Sequence, residues 1–140
     1  MPKILIIEPY RDAIALLKTA LCERIPEIQI RYIISGSEAR SAMYTISEED
    51  LPNAVIIDYV MMSLYGIGLV GETAVPDHWK EIPFIVWSDS MDSCVEETSA
   101  QAGATKIQKK PNSYQGYVEF ADEIAAMCRK AITERMSKGV

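Results

Sequence analysis

The sequence predicts an α/β fold built on a doubly wound parallel sheet. Two observations carry this. Short aliphatic runs recur five times with helical stretches between them, and such alternation implies parallel strands joined by right-handed crossovers, with helices on both faces. The strongest runs are continuous rather than alternating, as expected of strands buried on both sides.

Size and composition agree. The chain has 140 residues, which suits one domain spanning 1–140 and allows a real core without disulfides or a metal. Hydrophobic residues make up 49% and charged residues 24%, ordinary for a globular protein and contrary to global disorder. The net charge of -6 disfavours nonspecific binding to nucleic acid or anionic membrane. No apolar run approaches the ~20 residues of a membrane helix. The opening Met1–Glu8 holds a short greasy run ended by an acid, with no small-residue cleavage site, so it reads as a strand and not a signal peptide. Cys22, Cys94 and Cys128 form no CxxC pair. They read as reduced thiols of a cytoplasmic protein, each a small buried apolar residue.

The elements follow in order. Ile4–Ile7 is the first strand. Arg11–Arg24 places Ile14, Leu17 and Leu21 at helical spacing, and Pro26 closes it. Ile28–Ile34 is β-branched and partly alternating, a second strand. Ser35 and Glu38 have capping-box spacing ahead of a helix whose face is Ala39, Ala42, Met43 and Ile46. Leu51–Asn53 is a turn, and Ala54–Asp58 is the third strand. Gly66–Val75 reads as a weak helix, Pro83–Ser88 as the fourth strand, and Asp92–Ala102 as a polar helix that Gly103 can terminate. Thr105–Lys109 is a short fifth strand. The last helix gathers Val118, Ala121, Ala125, Cys128 and Ile132 on one face, opposite Glu119, Asp122, Glu123, Arg129 and Lys130. It reads as a docked amphipathic helix, not a membrane anchor.

In such folds ligands bind outside the carboxyl ends of the strands. Glu8 follows the first strand, Asp58 ends the third, Ser88 ends the fourth beside Asp89, and Lys110 follows the fifth. A carboxylate, a second acid, a hydroxyl and an ammonium suit phosphoryl transfer to a carboxylate. The nucleophile is then an exposed, ionised acid, a divalent cation neutralises the transferred group, and hydroxyl and ammonium bind its oxygens.

These residues also match a family. Over nearly its whole length the chain resembles the response-regulator receiver domain of two-component systems. The likeness rests on Lys3–Glu8, on Asp58-Tyr59-Val60-Met61-Met62 with Gly66 eight residues after the acid, and on Gly103-Ala104 followed by Lys110-Pro111. It implies a flavodoxin-like five-stranded parallel sheet of order 2-1-3-4-5 with five helices. It implies that Asp58 is the phosphoacceptor, that Ser88 and Lys110 bind the phosphoryl group, and that Glu8 and Asp58 hold Mg2+. It also implies a cis peptide between Lys110 and Pro111, cytoplasmic location, and a signalling domain that catalyses at most its own phosphorylation and dephosphorylation. The implied partners are a sensor histidine kinase or phosphotransfer protein and a downstream protein target, with no nucleic acid and no membrane; a homodimer stays open. No output domain follows the last helix, so output is expected through protein binding unless the chain is a fragment.

Three positions depart from the family pattern. Pro9 stands where a second acid is usual, which removes an inner metal ligand and predicts weak Mg2+ binding and slow or absent phosphorylation. Asp12 and Asp89 are candidate compensating acids, although Asp12 reads first as a first-turn acid favoured by the helix dipole and Asp89 as a solvated loop acid. Met62 replaces a proline, and Ile107 replaces the aromatic that couples the hydroxyl residue to the output surface. The alternative function is a pseudo-receiver, an interaction or dimerisation module that works without phosphorylation.

Bland readings stand beside these. Asp58 alone would read as a turn-capping acid, Ser88 as a strand-end hydroxyl, Lys110 as a surface lysine and Glu8 as a solvated acid. Gly66–Gly71 spells the GxGxxG dinucleotide pattern, but seven residues separate it from Asp58 and the fingerprint needs its first glycine directly after a strand. His78 is a lone histidine in a loop, too little for a metal site or a triad.

Overall fold

The alternating side-chain directions of a strand decide where each aliphatic residue goes. The computed structural model describes residues 2–70 and 75–138. It contains β1 (Lys3–Ile7), α1 (Arg11–Arg24), β2 (Gln29–Ile33), α2 (Gly36–Thr45), β3 (Ala54–Asp58), α3 (Tyr59–Tyr65), β4 (Phe84–Ser88), α4 (Ser93–Gln101), β5 (Lys106–Lys109) and α5 (Tyr114–Lys138). Short 3-10 turns lie at Glu48–Asp50 and Asp77–Trp79. The strands form one sheet of order β2-β1-β3-β4-β5, parallel throughout. This is the predicted doubly wound fold with the predicted strand order and five α-helices.

Successive strand residues feed two cores. Ile4 and Ile6 of β1, Ala54 and Ile56 of β3, and Ile85 and Trp87 of β4 pack with Leu17 and Leu21 of α1 and with Phe120 and Ile124 of α5. Their neighbours Leu5, Ile7, Val55, Ile57, Phe84 and Val86 point the other way, onto Met43 of α2, Met61 and Met62 of α3, and Trp79. The three inner strands are therefore greasy on both faces, which is why they read as unbroken aliphatic runs. The outer strands β2 and β5 are more exposed, and their sequences are correspondingly mixed.

The segment between β3 and β4 differs from the expectation. The helix starts at Tyr59, directly after the strand, and ends at Gly66, whose left-handed backbone (φ 61, ψ 41) caps it. The expected helix Gly66–Val75 does not form over its described residues, and residues 71–74 lie outside the described part. A left-handed residue cannot continue a right-handed helix, so Gly66 ends one helix rather than starting another. The GxGxxG geometry fails for the same reason. Trp79 is fully buried and donates its indole N–H to the Met43 carbonyl at 2.7 Å, which ties the return segment onto α2. Among the described residues no helix is long and apolar enough to cross a membrane.

Candidate functional site

A parallel sheet sends all its carboxyl ends to one edge, so Ile7, Asp58, Ser88 and Lys109 finish beside one another. β3 pairs with β4 so that Asp58 is in register with Trp87, and β4 pairs with β5 so that Ser88 is in register with Lys109. The ladder runs one step further, because the Lys110 N–H donates to the Ser88 carbonyl at 2.7 Å. On the other side the Glu8 N–H donates to the Ile33 carbonyl of β2 at 3.1 Å. Backbone pairing thus fixes both Glu8 and Lys110 before their side chains are considered. No cis peptide occurs among the described residues, so the Lys110–Pro111 bond is trans, contrary to the expectation. Trans is the lower-energy isomer of an X–Pro bond by ~0.5–1 kcal/mol.

The Lys110 ammonium lies 2.7 Å from Asp58 Oδ1 and 2.9 Å from Glu8 Oε1. The Asp58 contact is a hydrogen bond. The Glu8 contact is an ion pair, and among the described residues Oε1 accepts no hydrogen bond of good geometry. Glu8 Oε2 accepts from the Tyr10 N–H at 3.1 Å. Asp58 Oδ2 accepts from the Met61 N–H at 3.0 Å, so the same carboxylate that meets Lys110 also caps α3. The helix cap and the contact with Lys110 coexist in one residue.

Burial sets the electrostatics. The side chains of Glu8, Asp58 and Lys110 are 0%, 6% and 6% exposed. The solvated-acid reading of Glu8 is overturned, because Glu8 sits beneath the loop that follows β1. Burial pushes the Glu8 carboxyl above its ordinary value of 4.5, and the contacts with Lys110 and the Tyr10 N–H only partly offset it. Burial pulls Lys110 down, but its contacts with Asp58 and Glu8 outweigh that and hold it above 10.5. The rings of Tyr10 and Trp87 each lie 5.4 Å from the ammonium, within cation–π range. Trp87 is fully buried and stacks on Phe120 of α5.

Asp58 also borders an open cleft of about 300 Å³, with Tyr10, Val60, Leu64, Tyr65 and Asp89 around it. Ser88 is buried at the end of β4. Asp89 is exposed, its Oδ2 4.0 Å from the Lys110 ammonium. Asp12 is an exposed first-turn acid of α1. Met62 is buried within α3, and Ile107 is half-buried on β5. Sequence reasoning placed Tyr10 and Trp87 near strand ends but read such aromatics as packing or rim residues, and so missed their rings around Lys110. The adjacency of Trp87 to Ser88 was the available signal. It also placed all three cysteines inside, whereas Cys22 and Cys94 are exposed and only Cys128 is buried. The small thiol costs little at a surface position, so burial statistics decide nothing for one cysteine.

The donor set does not fit a resident divalent cation. Mg2+ demands near-octahedral oxygen ligands and keeps several waters. Glu8 is closed to solvent, Pro9 supplies no carboxylate, and three of the four oxygens of Glu8 and Asp58 already accept hydrogen bonds. The described residues contain no cluster of three acids, histidines or cysteines placed to hold a metal.

No protein-family profile and no curated protein matches the sequence. Solved structures do. A response-regulator receiver domain protein from Methanospirillum hungatei superposes with a TM-score of 0.69 at 12% identity, covering 96% of this chain and 98% of that one. The phosphorylated cyanobacterial phytochrome response regulator RcpA gives 0.66 at 17% identity, covering 88% and 90%. A response regulator in its Mn2+-bound form gives 0.66 at 16%, covering 89% and 91%. The likeness in backbone fold extends over most of the length of each chain. The chain has the fold of the response-regulator receiver domains.

Proposed function

We propose that this chain is a signalling receiver whose Asp58 accepts a phosphoryl group from a phosphohistidine of a sensor histidine kinase or phosphotransfer protein. One Asp58 oxygen attacks phosphorus, the P–N bond breaks, and the imidazole leaves with the electron pair, giving an acyl phosphate. Lys110 pairs with the phosphoryl oxygens and the Ser88 hydroxyl donates to one of them. Hydrolysis resets the switch. The observation that carries the reading is the 2.7 Å contact between Lys110 and Asp58 beside an open cleft. The phosphorylated and Mn2+-bound structures of the same fold support it.

Glu8 and Asp58 are the acids a cation would meet, and with Pro9 in place of a second acid after Glu8 they form no resident site and would hold Mg2+ only weakly and in passing. Residues 1–140 then act as one receiver unit in the cytoplasm, signalling by a shift in surface conformations toward a downstream protein, as a monomer or homodimer. Catalysis is limited to the chain's own phosphorylation and dephosphorylation.

The test is incubation with acetyl phosphate and Mg2+ followed by intact-mass measurement. A gain of one phosphoryl mass, absent in Asp58→Asn, is the expected result. A flat mass at millimolar Mg2+ favours the second reading, an interaction module that works without phosphorylation. The burial of Glu8 and the engagement of both Asp58 oxygens are what speak for it.

A further inference from the structure

The strand-end site is already charge-paired by the chain itself. Two buried carboxylates face one buried ammonium at 2.9 and 2.7 Å, and two aromatic rings lie 5.4 Å from the same ammonium. Carboxylates and ring faces all attract positive charge, so four groups from β3, β4 and the turn after β1 converge on one cation. Its backbone is pinned by the Ser88 carbonyl at 2.7 Å. Nothing comparable exists for a second cation, because Pro9 brings no carboxylate and the described residues hold no three-ligand cluster.

We infer that the Lys110 ammonium is the resident cation of this site and holds the place a divalent ion would take, so that ammonium and metal compete for Glu8 and Asp58. The competition has a physical basis. Like charges at such separations repel strongly where little water screens them, and a metal ion bound to both carboxylates would have to expel the ammonium from between them. Glu8 contributes through this geometry: its side chain is closed to solvent, so an ion that keeps its water shell must shed part of it to reach the carboxylate. A receiver of this kind carries its countercharge covalently.

This inference concerns the proposed phosphoacceptor site, but its test uses no phosphodonor, so the two can fail separately. Mn2+ is titrated into the full chain and into Lys110→Gln, with free Mn2+ read by electron paramagnetic resonance and folding checked by circular dichroism. The expected result is that Lys110→Gln binds Mn2+ about tenfold more tightly than the parent, or better. Equal affinity in the two proteins, or no binding in either, overturns the inference. Should Lys110→Gln not fold, the parent supplies the reading through the side-chain 15N resonance of Lys110. A resonance that moves in step with saturable Mg2+ binding supports the inference, and saturable binding that leaves it in place, or no binding at all, overturns it.

Discussion

The main-chain N–H of Lys110 hangs on the carbonyl of Ser88, 2.7 Å away. The last rung of the β4–β5 ladder therefore lies beyond the strands themselves, and it sets the height at which the Lys110 side chain leaves the sheet.

Removing the ammonium strands two buried acids. Lys110→Met is expected to cost about 3 kcal/mol, the usual penalty for leaving a buried charge unpaired. Urea denaturation of parent and variant measures it. A loss near zero would mean that Glu8 and Asp58 are stabilised by something other than the lysine.

Glu8 gives a pH dependence of definite sign. Its folded value is raised above 4.5, so the folded chain binds that proton more tightly than the unfolded chain does. The stability it contributes is fully present below 4.5 and is lost as pH rises through the folded value. Lys110 is also raised, above 10.5; its contribution is complete below 10.5 and disappears only at higher pH. The melting temperature of the parent relative to Glu8→Gln should accordingly fall as pH rises from acid toward neutral. A relative rise would contradict the burial argument.

Asp58 can be dissected by two substitutions. Asparagine caps a helix about as well as aspartate, whereas alanine does not. Asp58→Asn should retain the bond to the Met61 N–H, and Asp58→Ala should be less stable than Asp58→Asn by about 1 kcal/mol. Equal stabilities would remove Asp58 from the start of α3.

Gly66 ends that helix with a positive φ. Gly66→Ala places a Cβ in the left-handed region and should cost about 1 kcal/mol, read by thermal melting. A neutral substitution would show that another residue closes α3.

Much of this was legible in the chain. Ile4–Ile7, Ala54–Asp58 and Phe84–Ser88 announced themselves because strands covered on both faces tolerate only aliphatic and aromatic residues, with the polar group deferred to the end. The strand-end position of Glu8, Asp58, Ser88 and Lys110 followed from parallel topology. The helix after β3 did not follow. Three glycines drew attention to residues 66–75, while the stretch Tyr59–Tyr65 is too short to show a period. Its real start signal was Asp58, already taken for chemistry. Nor could the sequence tell that Glu8 is sealed, since that depends on how the loop through Pro9 and Tyr10 lies over it.

The indole of Trp87 gives the site an optical readout. Its ring has the ammonium of Lys110 on one side and Phe120 of α5 as a stacking neighbour, so its emission depends on whether that positive charge is present. The other tryptophan, Trp79, packs in the opposite core and supplies a steady background. Displacement of the lysine, by a metal or by an acyl phosphate, should register as a colour change in unlabelled protein.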